Sequence, residues 1–446
     1  MILCTADILN LNLQDTDRFM HILFFSHYFA PEGNAPASRT YEHCVRWVRA
    51  GHRVTVVTCV PNVPDGVPYE GYRNRFGWQK EQIDGIEVIR VWTLLAANAG
   101  FAMRILNYLS YMFSAVIAGM FVARPDVIVA TSPQFFCGWA GAIVQWLRRR
   151  PFVLEIRDIW PESITAVGAM RRGFVIRVLE WLERRLYLSA DHIVAVGKGY
   201  RDNICGKADV ADHVTVIYNG VDGQQFQPRE RDDDFLAQHG FTDSFVCAYV
   251  GTIGMAHGLG TVLDAAELLQ AAGRTDIRFL LVGDGARREF LERAAQERGL
   301  TALVRFTGRL GKGQIPDVIA SSDSLLVHLR ACDLFETVIP SKIFEAMAME
   351  RPLIMGVKGE SAEIVQRSGA GLEMEPGNAQ SLVDSVVQLQ ENNDTYQRLA
   401  QAGRAFVLNH FSRDRFASEY CRLLQRVAGC ENAITVEQGT AAEVDA

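Results

Sequence analysis

Short β-branched and aromatic runs alternate with amphipathic helical stretches along almost the whole chain, in two successive series. A chain written this way folds into parallel sheets covered by helices on both faces. In the first series the runs His21–Ser26, Val54–Cys59, Val88–Trp92, Val127–Thr131, Phe152–Ile156 and His192–Val196 read as strands. Ser38–Ala50 reads as a helix ending at Gly51, and Pro61–Gly77 as a Pro/Gly-rich loop. The run Val214–Asp222 ends a strand in an Asn219-Gly220 turn, and the polar stretch Gln224–Asp234 follows, so the domain boundary belongs here. The second series predicts strands at Phe245–Val250, Arg278–Val282, Val304–Phe306, Ser324–His328 and Pro352–Gly356. Its helices are Leu259–Ala272, Arg287–Arg298, Ser341–Ala348, Ala379–Glu391 and a last amphipathic one, Arg413–Ala428. The predicted architecture is α/β, with two Rossmann-like domains, 20–220 and 221–410, facing one cleft. A helix over 411–430 returns to the first domain.

Composition narrows the function classes. The 446 residues are 49% hydrophobic and 22% charged, as in ordinary globular chains, and the net charge of −7 argues against a basic nucleic-acid surface. Nine cysteines without a C-x-x-C pair point to a reducing compartment and away from structural zinc. Residues 1–19 carry Asp7, Asp15 and Asp17 and no basic segment before an apolar run, so they read as a disordered or mis-started leader before Met20. The acidic tail 431–446 is expected to be disordered. Locally the balance reverses. Between Phe101 and Ala190 eleven Arg face six acidic residues, around the charge-free stretch Ile105–Ala123. That stretch fits a buried helix, a helix dipping into a membrane interface, or a span; a span would separate strands that one sheet needs together.

Three segments carry chemistry. Ser26–Arg39 is a small-residue loop at the carboxyl end of the first strand, where open parallel sheets bind ligands, though a plain connection reads the same way. There is no G-x-x-x-x-G-K-[ST], and Gly251–Gly258 is not spaced as a dinucleotide fingerprint, so NTPase and dehydrogenase are poor fits. In Phe335–Ala348, Pro340 and Ser341 suit a helix start whose free N–H groups favour a diphosphate. Lys342, one of only six lysines, adds charge there, and Glu345 one turn on can reach a ribose diol. An ordinary capped helix with a surface ion pair accounts for the same pattern.

From Met20 to about Ala428 the chain resembles the retaining, nucleotide-sugar-dependent glycosyltransferases of family 4, which have the GT-B fold. It looks most like the bacterial surface-polysaccharide branch that includes L-fucosamine transferases. The resemblance rests on the Pro31–Arg39 loop, Arg157-Asp158-Ile159-Trp160-Pro161-Glu162-Ser163, Asn219-Gly220-Val221-Asp222, Gly251–Gly258, Gly283-Asp284-Gly285, Phe306-Thr307-Gly308-Arg309 and Pro340–Ala348. It implies donor contacts from Gly33, Asn34, Gly251, Thr252, His257, Gly283, Arg309, Glu336, Thr337, Ser341, Lys342 and Glu345. The catalytic candidates are Lys342, Asp158 and Arg157. Departures matter here. The family's first glutamate falls at Thr337, beside Glu336, and its Arg and Lys on the diphosphate fall at Thr252 and His257. Lys342 is therefore the candidate for the missing charge. Arg157 stands where many members carry His, and a guanidinium cannot act as a base at neutral pH.

The implied activity is a metal-independent, retaining transfer needing no cofactor, from a UDP-linked sugar to a lipid-linked saccharide in O-antigen or capsule synthesis. The implied location is cytoplasmic, peripheral on an anionic inner membrane, with no nucleic-acid partner. A sugar-nucleotide 2-epimerase of the same fold and a non-catalytic assembly scaffold are the competing readings. Donor turnover separates the three.

Overall fold

A computed structural model describes residues 19–63, 65–95, 100–166 and 173–430. The leader apart from Phe19, the tail from Glu431, and Arg171 and Arg172 lie outside the described residues.

Two sheets form. The first takes β1 (His21–Phe25), β2 (Arg53–Cys59), β3 (Trp78–Ile83), β4 (Ile86–Val91), β5 (Val127–Thr131), β6 (Phe152–Ile156), β7 (His192–Ala195) and β8 (Val214–Val216) in the order β3-β4-β2-β1-β5-β6-β7-β8. The second takes β9 (Phe245–Val250), β10 (Ile277–Val282), β11 (Val304–Gly308), β12 (Ser324–His328), β13 (Leu353–Gly356) and β14 (Gly371–Glu373) in the order β11-β10-β9-β12-β13-β14. Every pairing is parallel except β3 with β4. In each sheet the order reverses beside the first strand, β1 or β9, and ligands bind at that switch in open α/β sheets.

β1 shows why a continuous apolar run becomes a central strand. Ile22 and Phe24 join the layer under helix α1 (Ala35–Arg49), while Leu23 and Phe25 join the layer under α2 (Gly100–Phe121) and α3 (Phe135–Arg148). Both faces are covered, so no polar residue is needed. α1 begins at Ala35, three residues before the predicted start. Asn34 caps it by accepting from the Ala37 N–H at 2.9 Å, and Pro36 fits a first turn that needs no donor. β3 was not anticipated, because Gln79-Lys80-Glu81-Gln82 is the polar signature of a solvated edge strand.

The first domain adds α4 (Glu162–Ala166), α5 (Phe174–Ser189) and α6 (Lys198–Lys207). The helix Arg413–Val427 closes the described chain by lying on α1, where the Trp47 indole N–H donates to the Ala417 carbonyl at 2.9 Å. The chain crosses between domains at 217–222 and returns at 411–413, and the two passes bond through Val221 and Phe411 at 2.9 Å. A Cβ on Gly220 would stand 2.6 Å from the Phe411 carbonyl oxygen, so only glycine permits that contact. Arg39 of α1 ties the crossing down, donating to the carbonyls of Ile217 and Tyr218 and to Asn219 Oδ1.

Candidate active site

The second-domain half of the site is built where β9 and β10 end. Gly251 has φ +143° and Gly283 φ +138°, and a Cβ on Gly283 would sit 1.8 Å from the Gly251 carbonyl oxygen. These two turns touch backbone to backbone, leaving a shallow floor at the sheet edge. Lys342 opens the helix Lys342–Ala348 and lays its ammonium over the Tyr249 ring, 3.7 Å from the centroid. A Cβ on Gly251 would stand 2.9 Å from that ammonium, so the glycine makes room for the charge. Burial pulls the Lys342 pKa down to about 7, opposed by the Glu345 carboxylate. Among the described residues no carboxylate approaches Lys342 within ion-pair distance. A half-buried ammonium held by a ring face and left without a counter-ion is a site for an anion.

Glu345 lies one turn further along. Burial raises its pKa, countered by the nearby charges of Arg413, Lys312 and Lys342. His257 accepts from the Gly254 N–H at 3.3 Å through Nδ1, and burial followed by Lys342 lowers its pKa to about 4. Its imidazole is therefore neutral near pH 7 and supplies no cation. Its carbonyl receives the His328 Nδ1–H at 2.7 Å, a tautomer fixed by the Gly377 N–H donating to His328 Nε2 at 2.9 Å. Thr252 is exposed, and its carbonyl accepts from the Tyr249 hydroxyl at 2.8 Å, which locks the ring under Lys342.

The first domain meets this edge through the loop after β1. Gly33 is exposed, and a Cβ there would lie 3.8 Å from the Arg309 guanidinium of the other domain. The Arg309 charge also bears on Tyr69, whose hydroxyl donates to the Val63 carbonyl at 2.6 Å. Lys312 crosses to Glu42 of α1 at 3.0 Å. On the other side of the cleft, the Glu360 carboxylate accepts from the Lys198 and Gly199 N–H groups that open α6, and from the Tyr218 hydroxyl. The two domains are therefore closed on one another.

Gly251, Gly283, His257 and Lys342 gather where β9 and β10 end, with Ser341 and Glu345 on the same helix start, while Gly33 and Arg309 face each other across the two domains. Ser341 occupies the cap position without spending its hydroxyl on a cap bond. The other candidates have local surroundings of their own. Asn34 is the α1 cap. Thr337 gives its hydroxyl to the Leu334 carbonyl and packs on Gly199, with a Cβ there 2.9 Å away. Glu336 is exposed beside Gly359. Asp158 accepts from Ser163 at 3.2 Å and lines a cavity of about 20 Å³ inside the first domain with Phe135, Trp160 and Tyr187. Burial there raises the Asp158 pKa to about 6. Arg157 turns the other way, donating to the Pro36 and Ala35 carbonyls at 3.2 and 3.3 Å, and burial lowers its pKa to about 10. The two side chains therefore part: Arg157 lies against the α1 start and Asp158 faces an interior. Tyr249, Tyr69, Glu42 and Glu360 were missed, because no motif spacing marks them. Among the described residues no three metal-ligating groups gather.

Comparison with known proteins gives two family matches. Residues 34–220 match the glycosyl transferase 4-like domain, and residues 231–406 match glycosyl transferases group 1. The chain is 25% identical over 382 residues to WcaI of Escherichia coli (strain K12), assigned as a colanic acid biosynthesis glycosyl transferase, covering 83% of this chain and 92% of that one. It is 26% identical over 275 residues to the O-antigen chain mannosyltransferase C of Escherichia coli, covering 59% of this chain and 69% of that one. In three dimensions it is similar to Anabaena HepE crystallised with UDP-glucose, with a TM-score of 0.68 at 20% identity over 91% of this chain and all of that one. The structural likeness establishes the GT-B architecture.

Proposed function

Because the chain belongs to the glycosyltransferases, its first half 4-like and its second half group 1, we propose that it moves a hexosyl or N-acetylaminosugar unit from a UDP-linked donor to a lipid-linked saccharide. The transfer proceeds with retention and without a metal, in O-antigen or capsule synthesis. The observation that carries this reading is Lys342, an ammonium with no carboxylate partner among the described residues, cupped by Tyr249 and Gly251 where two closed domains meet. Its charge and the Ser341 N–H would hold the diphosphate, Glu345 the ribose diol, and Arg309 the base side. As the bond between the anomeric carbon and the phosphate oxygen breaks, charge grows on the phosphate, and a fixed cation there lowers the barrier. The acceptor hydroxyl attacks from the leaving-group face and gives its proton to the departing phosphate oxygen. Arg157 would serve hydroxyls on the first-domain side. Closure of the domains excludes water that would hydrolyse the donor. The UDP-glucose bound by Anabaena HepE supports a UDP donor, and the roles of the two Escherichia coli relatives support a surface polysaccharide.

The proposal includes a location, peripheral on the cytoplasmic face of the inner membrane. No helix among the described residues is long and apolar enough to cross a bilayer. The outer side of α2, α3 and α5 instead exposes Phe113 (63%), Phe121 (72%), Trp146 (75%), Phe174 (75%) and Trp181 (57%). Arg104, Arg124, Arg149, Arg177, Arg184 and Arg185 are exposed on the same helices and their ends, against Asp126 and, on α5, Glu180 and the buried Glu183. Apolar side chains ringed by arginine suit an anionic lipid surface. Within the charge-free stretch and its flanking arginines, Phe113 is available, whereas Tyr108 turns inward against His27, and Arg148 donates to the Gly119 and Val122 carbonyls. Thermal stabilisation by a panel of UDP- and GDP-sugars tests the donor. Stabilisation by none of them would remove the reading.

A further inference from the structure

α6 of the first domain begins without a cap of its own. Gly197 stands at the cap position and has no side chain to offer, so the N–H groups of the first turn need an acceptor from elsewhere. The second domain supplies it. Glu360, the first residue of helix Glu360–Ser368, accepts from the Lys198 N–H at 2.9 Å through Oε1 and from the Gly199 N–H at 3.1 Å through Oε2. The carboxylate thus sits at the positive ends of two helices, its own and α6. Its Oε1 also takes the Tyr218 hydroxyl at 2.7 Å, and Tyr218 lies in the interdomain crossing. One side chain therefore joins both domains and the crossing between them.

The same surface reaches the segment that leads into the Lys342 helix. A Cβ on Gly197 would stand 3.0 Å from Ile339 Cδ1, and one on Gly199 would stand 2.9 Å from Thr337 Cβ and 3.2 Å from Thr337 Cα. The α6 start is trimmed to glycine where this segment comes in. Leu334, at the head of the segment, packs against the apolar core of the first domain. On the other side, Gly359 has φ +76°, and a Cβ there would lie 2.2 Å from the Glu336 carbonyl oxygen. The turn that carries Glu360 is therefore in backbone contact with the segment. Residues 336–339 are clamped between α6 and 359–360, and Lys342 follows three residues on.

We propose that Glu360 is a positioning residue for Lys342: seated on α6, it clamps residues 336–339 against the first domain and so fixes where the next helix presents the Lys342 ammonium. This rests on the reading of Lys342 as the cation that meets the donor diphosphate. When the domains part, water takes over the α6 N–H groups and the clamp is released, so the cation site is complete only in the closed form. Because water replaces the lost hydrogen bonds, the clamp is reversible.

The test combines amide hydrogen exchange with UDP titration on the full chain, in wild type, E360A, E360Q, K342M and E360A/K342M. In ligand-free E360A, exchange should quicken about tenfold or more at 198–199 and also over 336–345. The buried strand β12 should stay protected, as a control for folding. E360Q keeps the shape of the side chain and one acceptor, so its exchange should lie between; it carries the same comparison should β12 lose protection in E360A. E360A should bind UDP about tenfold more weakly than wild type. The double variant should bind no more weakly than K342M alone, because both changes remove the same contact. Faster exchange confined to 198–199 would make Glu360 only a cap for α6 and overturn the proposal. Wild-type UDP affinity in E360A beside a weakened K342M, or losses that add in the double variant, would overturn it as well. Wild-type UDP affinity in K342M would overturn the reading of Lys342 itself, and this proposal with it.

Discussion

Replacing Lys342 with Met should make the ligand-free protein more stable and the enzyme worse. The ammonium is held where burial lowers its pKa from 10.5 to about 7. At 1.36 kcal/mol per pH unit, keeping it charged in the fold costs roughly 4–5 kcal/mol. The Tyr249 face returns about 1–2 kcal/mol. Met keeps the length of the side chain and its contact with the ring but carries no charge, so K342M should gain roughly 2–3 kcal/mol below pH 7. For a domain of this size that is a rise of about 5–10 °C in melting temperature. The sign with pH follows from proton counting. Between pH 7 and 10.5 the unfolded chain binds a proton that the folded lysine has lost, so wild-type stability rises through that window and the advantage of K342M fades. Scanning calorimetry of both proteins at pH 6 and pH 9 measures the difference. A K342M protein less stable than wild type at pH 6, or an advantage that does not shrink at pH 9, would refute the account of Lys342 as a charge held against its preference for water.

Asp158→Asn should stabilise the protein by up to about 3 kcal/mol above pH 6 and not at all near pH 4. The folded carboxyl holds its proton to about pH 6, and wild-type stability falls as pH rises through that interval; denaturant melts at the two pH values check this. Glu345→Ala should weaken donor binding by about tenfold or more in calorimetric titration, whereas unchanged affinity would remove the diol role. Gly283→Ala should destabilise severely or fail to fold, because its Cβ would collide with the Gly251 carbonyl at 1.8 Å; a normal melting temperature would contradict the backbone contact. Purified protein should co-sediment with anionic vesicles and be released by high salt, while Trp181→Asp should weaken the attachment. Indifference to lipid charge would remove the membrane proposal.

The fold was legible wherever periodicity reports burial. β1, β5, β6 and β12 are fully buried, so apolar residues dominate their runs, even in β6, where Glu155 is buried against Arg39. β3 escaped because an exposed antiparallel edge strand needs no apolar face, and β14 because three residues carry no pattern. Lys342 was legible as a rare lysine at a helix start. Its Tyr249 platform was not, since one aromatic in an apolar strand reads as core. Arg157 and Asp158 share a motif but not their surroundings. Adjacent residues at a strand end point to opposite sides, so a two-residue motif does not imply one shared site. Glu42 was invisible because its partners lie 270 and 371 positions away, and only the docking of α1 on the second domain brings them together.

The central claim is tested most directly by following a labelled UDP-sugar, chosen from those that stabilise the protein, into a lipid-diphosphate-linked saccharide with wild type and Lys342→Ala. Product should appear with the anomeric configuration of the donor, and K342A should transfer about 10²-fold more slowly, as expected for loss of a fixed charge on a leaving group. Undiminished transfer by K342A, conversion of the free nucleotide sugar without an acceptor, or no turnover of any donor by the wild-type protein would contradict it.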